Sequence, residues 1–219
     1  MTKNLIFQKV TEVKKVRNNV YVKFCNSEQL IIPYEIFTRN YLAVDDELSS
    51  NERKNLEEKI EIFKIKQSSF RYLSRRNHSK QELKLKLLKK KYDNSLIDNV
   101  LLELEEKEFL NDRKYVEDFF KVQQSKKKGL LKIKASLFQK GVDRNIIEKV
   151  INNLCDEQKF LESAKIIAQK KIEQLSYKNY TNTELKKKIY QFLLSRGFTG
   201  NIILEVINEL KLKETNEQI

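Results

Sequence analysis

The sequence predicts a mainly α-helical protein: tandem three-helix repeats forming an elongated modular array, introduced by a small β-hairpin or meander and a long linking helix. Three observations predict it. The 219 residues include four glycines, one proline and no tryptophan, too little turn chemistry for a many-stranded sandwich or barrel. From Ser49 onward the apolar residues recur with a helical period. One nine-position pattern, eight apolar places and a helix cap, then occurs three times, the mark of a repeat architecture.

The first segment, residues 1–48, reads differently from the rest. Val20, Tyr21, Val22, Lys23 and Phe24 alternate with a period of two, and Leu30, Ile31 and Ile32 renew the β signal after the polar stretch Asn26–Gln29. Asn18-Asn19 suits a tight turn, since asparagine tolerates positive φ. Pro33, which cannot donate to a ladder, closes the segment. So few strands need a packing partner.

Residues 49–78 form the linking helix. Ser49 and Glu52 are spaced as a capping box, and Leu56, Ile60, Phe63, Phe70 and Leu73 make one apolar stripe.

Three repeats follow, at 79–125, 126–176 and 177–219. Leu83, Leu87, Tyr92, Asp93, Leu96, Ile97, Val100, Leu101 and Leu104 recur 50 positions later as Ile133, Leu137, Val142, Asp143, Ile146, Ile147, Val150, Ile151 and Leu154. A further 56 positions on stand Ile189, Leu193, Phe198, Thr199, Ile202, Ile203, Val206, Ile207 and Leu210. In each copy a first helix starts near Ser79, Gly129 or Thr181 and ends at Lys91, Gly141 or Gly197, where a left-handed residue terminates a helix. Asp93, Asp143 and Thr199 then offer an oxygen to the amides opening the second helix. Asp112 and Ser163 stand as N-caps for a third helix, which in the last copy is short or absent. Each bundle is expected to bury its own stripe, with Tyr92, Phe109, Phe160 and Phe198 in the cores.

The charge is as organised as the apolar pattern. Lys and Arg number 44 against 31 acids, a net charge of +13, which favours an acidic or polyanionic partner. Residues 80–91, 126–140 and 183–196 together hold sixteen basic residues and two acids, whereas 94–110 is acidic. A basic run is ordinarily a solvated helix face. Recurrence at equivalent positions argues instead that stacked repeats align these helices into one strip for phosphate or an acidic protein groove. The candidates are Lys80, Lys84, Lys126, Lys127, Lys128, Lys132, Lys186, Lys187 and Arg196. Nothing marks base-specific readout: neither a recognition-helix pattern nor an aromatic platform is present.

Other chemistries find little support. Cys25 and Cys155 are 130 positions apart and read as inert packing thiols; a single histidine, His78, cannot build a zinc cluster. Phosphate-loop, dinucleotide and nucleophile-elbow motifs are missing, as is any apolar run of about 18 residues or a leader-like amino terminus. The acid clusters Asp45-Asp46-Glu47 and Glu103-Glu105-Glu106 have no accompanying site for a nuclease. The expectation is a cytoplasmic, non-enzymatic protein with no catalytic residue, metal or cofactor.

Several segments carry a family resemblance. Leu73-Ser74-Arg75-Arg76-Asn77-His78-Ser79-Lys80-Gln81-Glu82-Leu83 resembles the opening of the first repeat in RecX, the bacterial regulator of the recombinase RecA. Leu137–Val142 and Leu193–Phe198 resemble its repeated helix ends, and Phe109-Leu110-Asn111-Asp112 its third-helix start. Lys91 departs from the family's usual glycine and Leu130 from a common proline. The resemblance implies a protein of DNA repair, homologous recombination and the SOS response. It would lodge in the groove of the RecA filament on single-stranded DNA and restrain strand exchange, ATP hydrolysis and co-protease activity. A monomer is expected, with no membrane contact and with DNA as a second, direct partner. Arg75 and Arg76 join the candidates for contact with RecA or phosphate, and His78 has a helix-entry packing role. The alternative is a RecA-independent, sequence-nonspecific nucleic-acid-binding repeat protein.

Overall fold

A computed structural model describes residues 7–178 and 180–210. The described residues divide into two compact units: those up to Arg76 together with Leu83–Leu110, and Asn77–Glu82 together with those from Asn111 onward.

The first unit opens with a four-stranded antiparallel sheet in the order β3-β2-β1-β4, built from β1 (Phe7–Val16), β2 (Asn19–Phe24), β3 (Gln29–Pro33) and β4 (Glu47–Ser49). The predicted meander thus gains a fourth strand. The hairpin turn lies one residue earlier than the asparagine pair suggests: Val16 pairs with Asn19, and Arg17 holds the positive φ of 53°. Pro33 ends an edge strand, where its missing donor costs no ladder bond. The four-residue helix α1 (Tyr34–Phe37) follows β3.

Helix α2 (Ser50–Leu73) begins at the predicted capping box, with the Glu52 amide donating to Ser49 Oγ and the Ser49 amide donating to Glu52 Oε2. Its first half covers the sheet through Leu56 and Ile60, which share a core with Val10, Val22, Phe24 and Ile32. Its second half enters another core through Ile65, with α3 (Lys80–Leu88) and α4 (Asn94–Glu106). Phe70 is exposed and meets exposed Phe109 edge-on at 5.1 Å. The expectation that Phe109 belongs to a core is therefore corrected.

The second unit contains α5 (Asp112–Ser125), α6 (Leu130–Gln139), α7 (Arg144–Leu154), α8 (Glu157–Leu175), α9 (Asn182–Arg196) and α10 (Gly200–Glu209). These helices share one core, in which Phe120 meets Phe160 at 6.0 Å, so the second and third repeats do not bury separate stripes. Phe160 and Phe198 are fully buried.

The helix termini follow the sequence at most positions. Lys91, Gly141 and Gly197 all adopt positive φ, at 63°, 71° and 86°. Asp93 and Asp143 each accept two amides at the starts of α4 and α7, whereas Thr199 caps α10 without a side-chain bond. The cap of α5 is Asn111, not Asp112, because the Asp112 carboxylate instead accepts the Lys80 amide at 2.8 Å. Ser163 lies inside α8, which is capped by Asp156 and follows α7 after only Cys155 and Asp156. The continuation of the third copy beyond Leu210 lies outside the described residues. Both cysteines are exposed thiols rather than packed ones. His78, by contrast, is buried, at 2% exposure, beside the start of α3.

Candidate partner-binding surface

The basic helices meet end to end. At the start of α6, the Gly129 amide donates to the Arg196 carbonyl and the Leu131 amide to the Gly197 carbonyl, both at 2.9 Å. The opening donors of α6 are thereby satisfied by the closing acceptors of α9, and the two helix dipoles run head to tail. The fit depends on glycine: a Cβ on Gly129 would lie 2.1 Å from the Gly197 carbonyl carbon.

An equivalent joint, made by a side-chain hydroxyl, stands at the other end of α6. Ser79, fully buried, accepts the Glu82 amide at 3.1 Å and donates its own hydroxyl to the Lys140 carbonyl at 2.7 Å. Asn77 Nδ2 donates to Asp118 at 2.6 Å and anchors the same entry. The residues at each joint are repeat equivalents: Ser79 matches Gly129, and Gly141 matches Gly197. One joint is thus used twice, from α9 to α6 and from α6 to the opening turn of α3.

The predicted cations fall into three groups. Lys126, Lys127 and Lys128 do not belong to α6; they form the turn that closes α5, with Lys127 at a φ of 55°. That turn leads directly into the joint at Gly129, which also carries exposed Lys132 and Arg196. Lys132 Nζ donates to the Ser195 carbonyl at 3.0 Å, capping α9, and the Arg196 guanidinium lies 5.2 Å from the Phe192 ring centre. These five residues are the ones the fold brings together.

Lys186 and Lys187 form a second group, exposed on the first half of α9. That helix opens at a capping box in which Thr181 donates to Glu184 from its amide and its hydroxyl. These bonds hold the Glu184 carboxyl below its ordinary range. Arg75 and Arg76 follow the end of α2 and are exposed; Lys80, half-buried, opens α3.

Lys84 stands apart. Its ammonium pairs with Asp98 of α4 at 2.5 Å, as Lys134 pairs with Glu148 of α7 at 2.6 Å, 50 positions on. Part of the basic excess is therefore neutralised across each helix pair, which helix-by-helix counting missed. The signal was present, since both pairs are 14 residues apart.

Among the described residues, no group of His, Cys, Asp and Glu could hold a metal ion, and no helix is long and apolar enough to cross a membrane.

Three family models match the chain: the first three-helix domain of RecX over residues 66–104, the second over 111–151 and the third over 157–207. Each match runs from a longer helix into the two that follow it. The regulatory protein RecX of Clostridium botulinum (strain Eklund 17B / Type B) is 32% identical over 200 residues, covering 91% of this chain and 92% of that protein. Its counterpart in Lactococcus lactis subsp. lactis (strain IL1403) is 28% identical, covering 96% and 79%. The crystal structure of RecX from Lactobacillus salivarius superposes with a TM-score of 0.62 at 28% identity, over 68% of this chain and 96% of that one. A crystal structure of regulatory protein RecX, 18% identical, shares the fold at a TM-score of 0.72, over 92% and 100%.

Proposed function

The chain belongs to the RecX family of regulatory proteins, and from that premise we propose that it binds the RecA filament on single-stranded DNA and modulates it in the direction of inhibition. The activities restrained are strand exchange, ATP hydrolysis and co-protease function, within DNA repair, homologous recombination and the SOS response. The protein acts in the cytoplasm as a monomeric, non-enzymatic regulator and needs no cofactor.

The observation that carries this reading is the repeated end-to-end joint. It sets α9, α6 and the opening of α3 in succession and gathers Lys126, Lys127, Lys128, Lys132 and Arg196 at one junction. A succession of basic helices offers phosphate or carboxylate groups several contacts, and many weak attractions sum to a salt-sensitive affinity. Arg75, Arg76, Lys80, Lys186 and Lys187 extend the attraction. Lys84, held by Asp98, contributes less.

Binding to RecA filaments on single-stranded DNA, measured against bare single strands at matched salt, tests the proposal. A clear preference for filaments supports it. Equal binding to both favours a nucleic-acid-binding protein that acts without RecA.

A further inference from the structure

The third repeat breaks a pattern that the first two keep. The positions occupied by the ion pairs Lys84–Asp98 and Lys134–Glu148 hold Tyr190 on α9 and Leu204 on α10 in the third copy. Neither is folded away: Tyr190 is 36% exposed and Leu204 54%. Leu194, one turn beyond Tyr190, is 49% exposed, as its equivalents Leu88 and Phe138 are, so the two changed positions enlarge an apolar spot that all three repeats share. A third substitution points the same way. Where the earlier copies have Asn94 and Arg144 at the start of the second helix, this one has Gly200, one turn before Leu204. A Cβ there would meet nothing within 4 Å, so no internal contact calls for glycine. The ion-paired face of two repeats has become, in the third, an apolar face cleared of bulk beside it.

We infer that this face of α9 and α10 docks a partner protein, receiving an apolar side chain carried on an acidic surface. The charge around it sets the partner's sign: Lys186 and Lys187, exposed on α9, precede Tyr190 by one turn, and α9 carries four cations against the single acid Glu184. The same cations disfavour a second copy of the chain packed face to face, since Lys186 and Lys187 would meet their own counterparts. Its chemistry also disfavours nucleic acid, because two of the three residues are leucines and offer no ring for bases to stack on. Gly200 lets the partner's backbone approach closely. Identifying that partner as the recombinase rests on the function proposed above; the basic junction at Gly129 then meets phosphate or carboxylate, while this face fixes the regulator on protein.

The test installs the ion pair of the other two repeats. Tyr190→Lys with Leu204→Asp recreates a pairing that two repeats of the same chain already accommodate. Its binding to RecA filaments should weaken by about ten-fold, the size expected when a small apolar contact is removed from an interface, with affinity for bare single strands unchanged. Leu204→Asn alone, at an exposed position, should show a smaller loss of the same kind and serves if the double variant unfolds. Filament affinity equal to wild type overturns the inference, as does an equal loss on bare strands, which makes the face a nucleic-acid contact. Failure of the proposed function is a separate result, seen in the unmodified protein as no preference for filaments over bare strands.

Discussion

The amide of Gly129 donates to the carbonyl of Arg196 across 67 residues of sequence, at 2.9 Å, so that α6 begins where α9 ends. Backbone meets backbone here with no side chain between. The bond links two basic helices with α7 and α8 between them in sequence, and the equivalent joint at the far end of α6 is closed instead by the Ser79 hydroxyl on the Lys140 carbonyl.

Gly129→Ala should therefore destabilise the second unit by about 1–3 kcal/mol, the usual cost of forcing atoms into a filled site. The added carbon would sit 2.1 Å from a backbone atom that cannot swing aside. Gly200→Ala is the counterpart, with open space around it, and should leave stability unchanged or raise it by up to about 1 kcal/mol. Urea denaturation midpoints measure both.

The N-caps should rank by their bonds. Asp93→Ala and Asp143→Ala each remove a carboxylate that accepts two amides and should cost about 1 kcal/mol. Thr199→Ala removes a hydroxyl that makes no cap bond and should cost under about 0.5 kcal/mol. The same denaturation series checks the order.

Two sets of lysines should differ in function. Replacing Lys126, Lys127 and Lys128 with Glu reverses charge at the junction of α5 and α6, and should weaken inhibition of RecA ATPase several-fold and flatten its salt dependence. Lys84→Ala removes a cation already held by Asp98 at 2.5 Å and should leave inhibition close to wild type. Inhibition curves at two salt concentrations decide the comparison; equal effects would remove the distinction between junction and ion-paired lysines.

Local signals were the legible ones. The capping boxes at Ser49 and Thr181, legible from their spacing to Glu52 and Glu184, and the left-handed ends at Lys91, Gly141 and Gly197, legible from the repeat alignment, all depend on residues within one turn. β4 was missed because Glu47-Leu48-Ser49 is too short to display alternation and exists only through its pairing with Phe7, Gln8 and Lys9. Phe109 was misassigned because an apolar position beside a helix end looks the same whether it faces a core or solvent. The caps Asp112 and Ser163 failed where a tertiary bond and a shortened link overruled the alignment.

The candidate surface divided along the same line. Which residues are basic, and that they recur, was plain from the sequence. Which of them are drawn to one junction was not, since Lys132 reaches Ser195 only after α9 has folded onto α6. Nor did the charge count reveal that Lys84 and Lys134 are matched by Asp98 and Glu148. Ion pairs between successive helices depend on the angle at which the helices pack, which composition does not encode.

The most direct test of the account is RecA ATPase on single-stranded DNA, titrated with this protein well below RecA stoichiometry. A regulator that engages the filament itself should depress ATP hydrolysis far beyond the fraction of DNA it could cover. Inhibition only in proportion to occupied DNA, or none, would contradict the assignment of the RecA filament as its target.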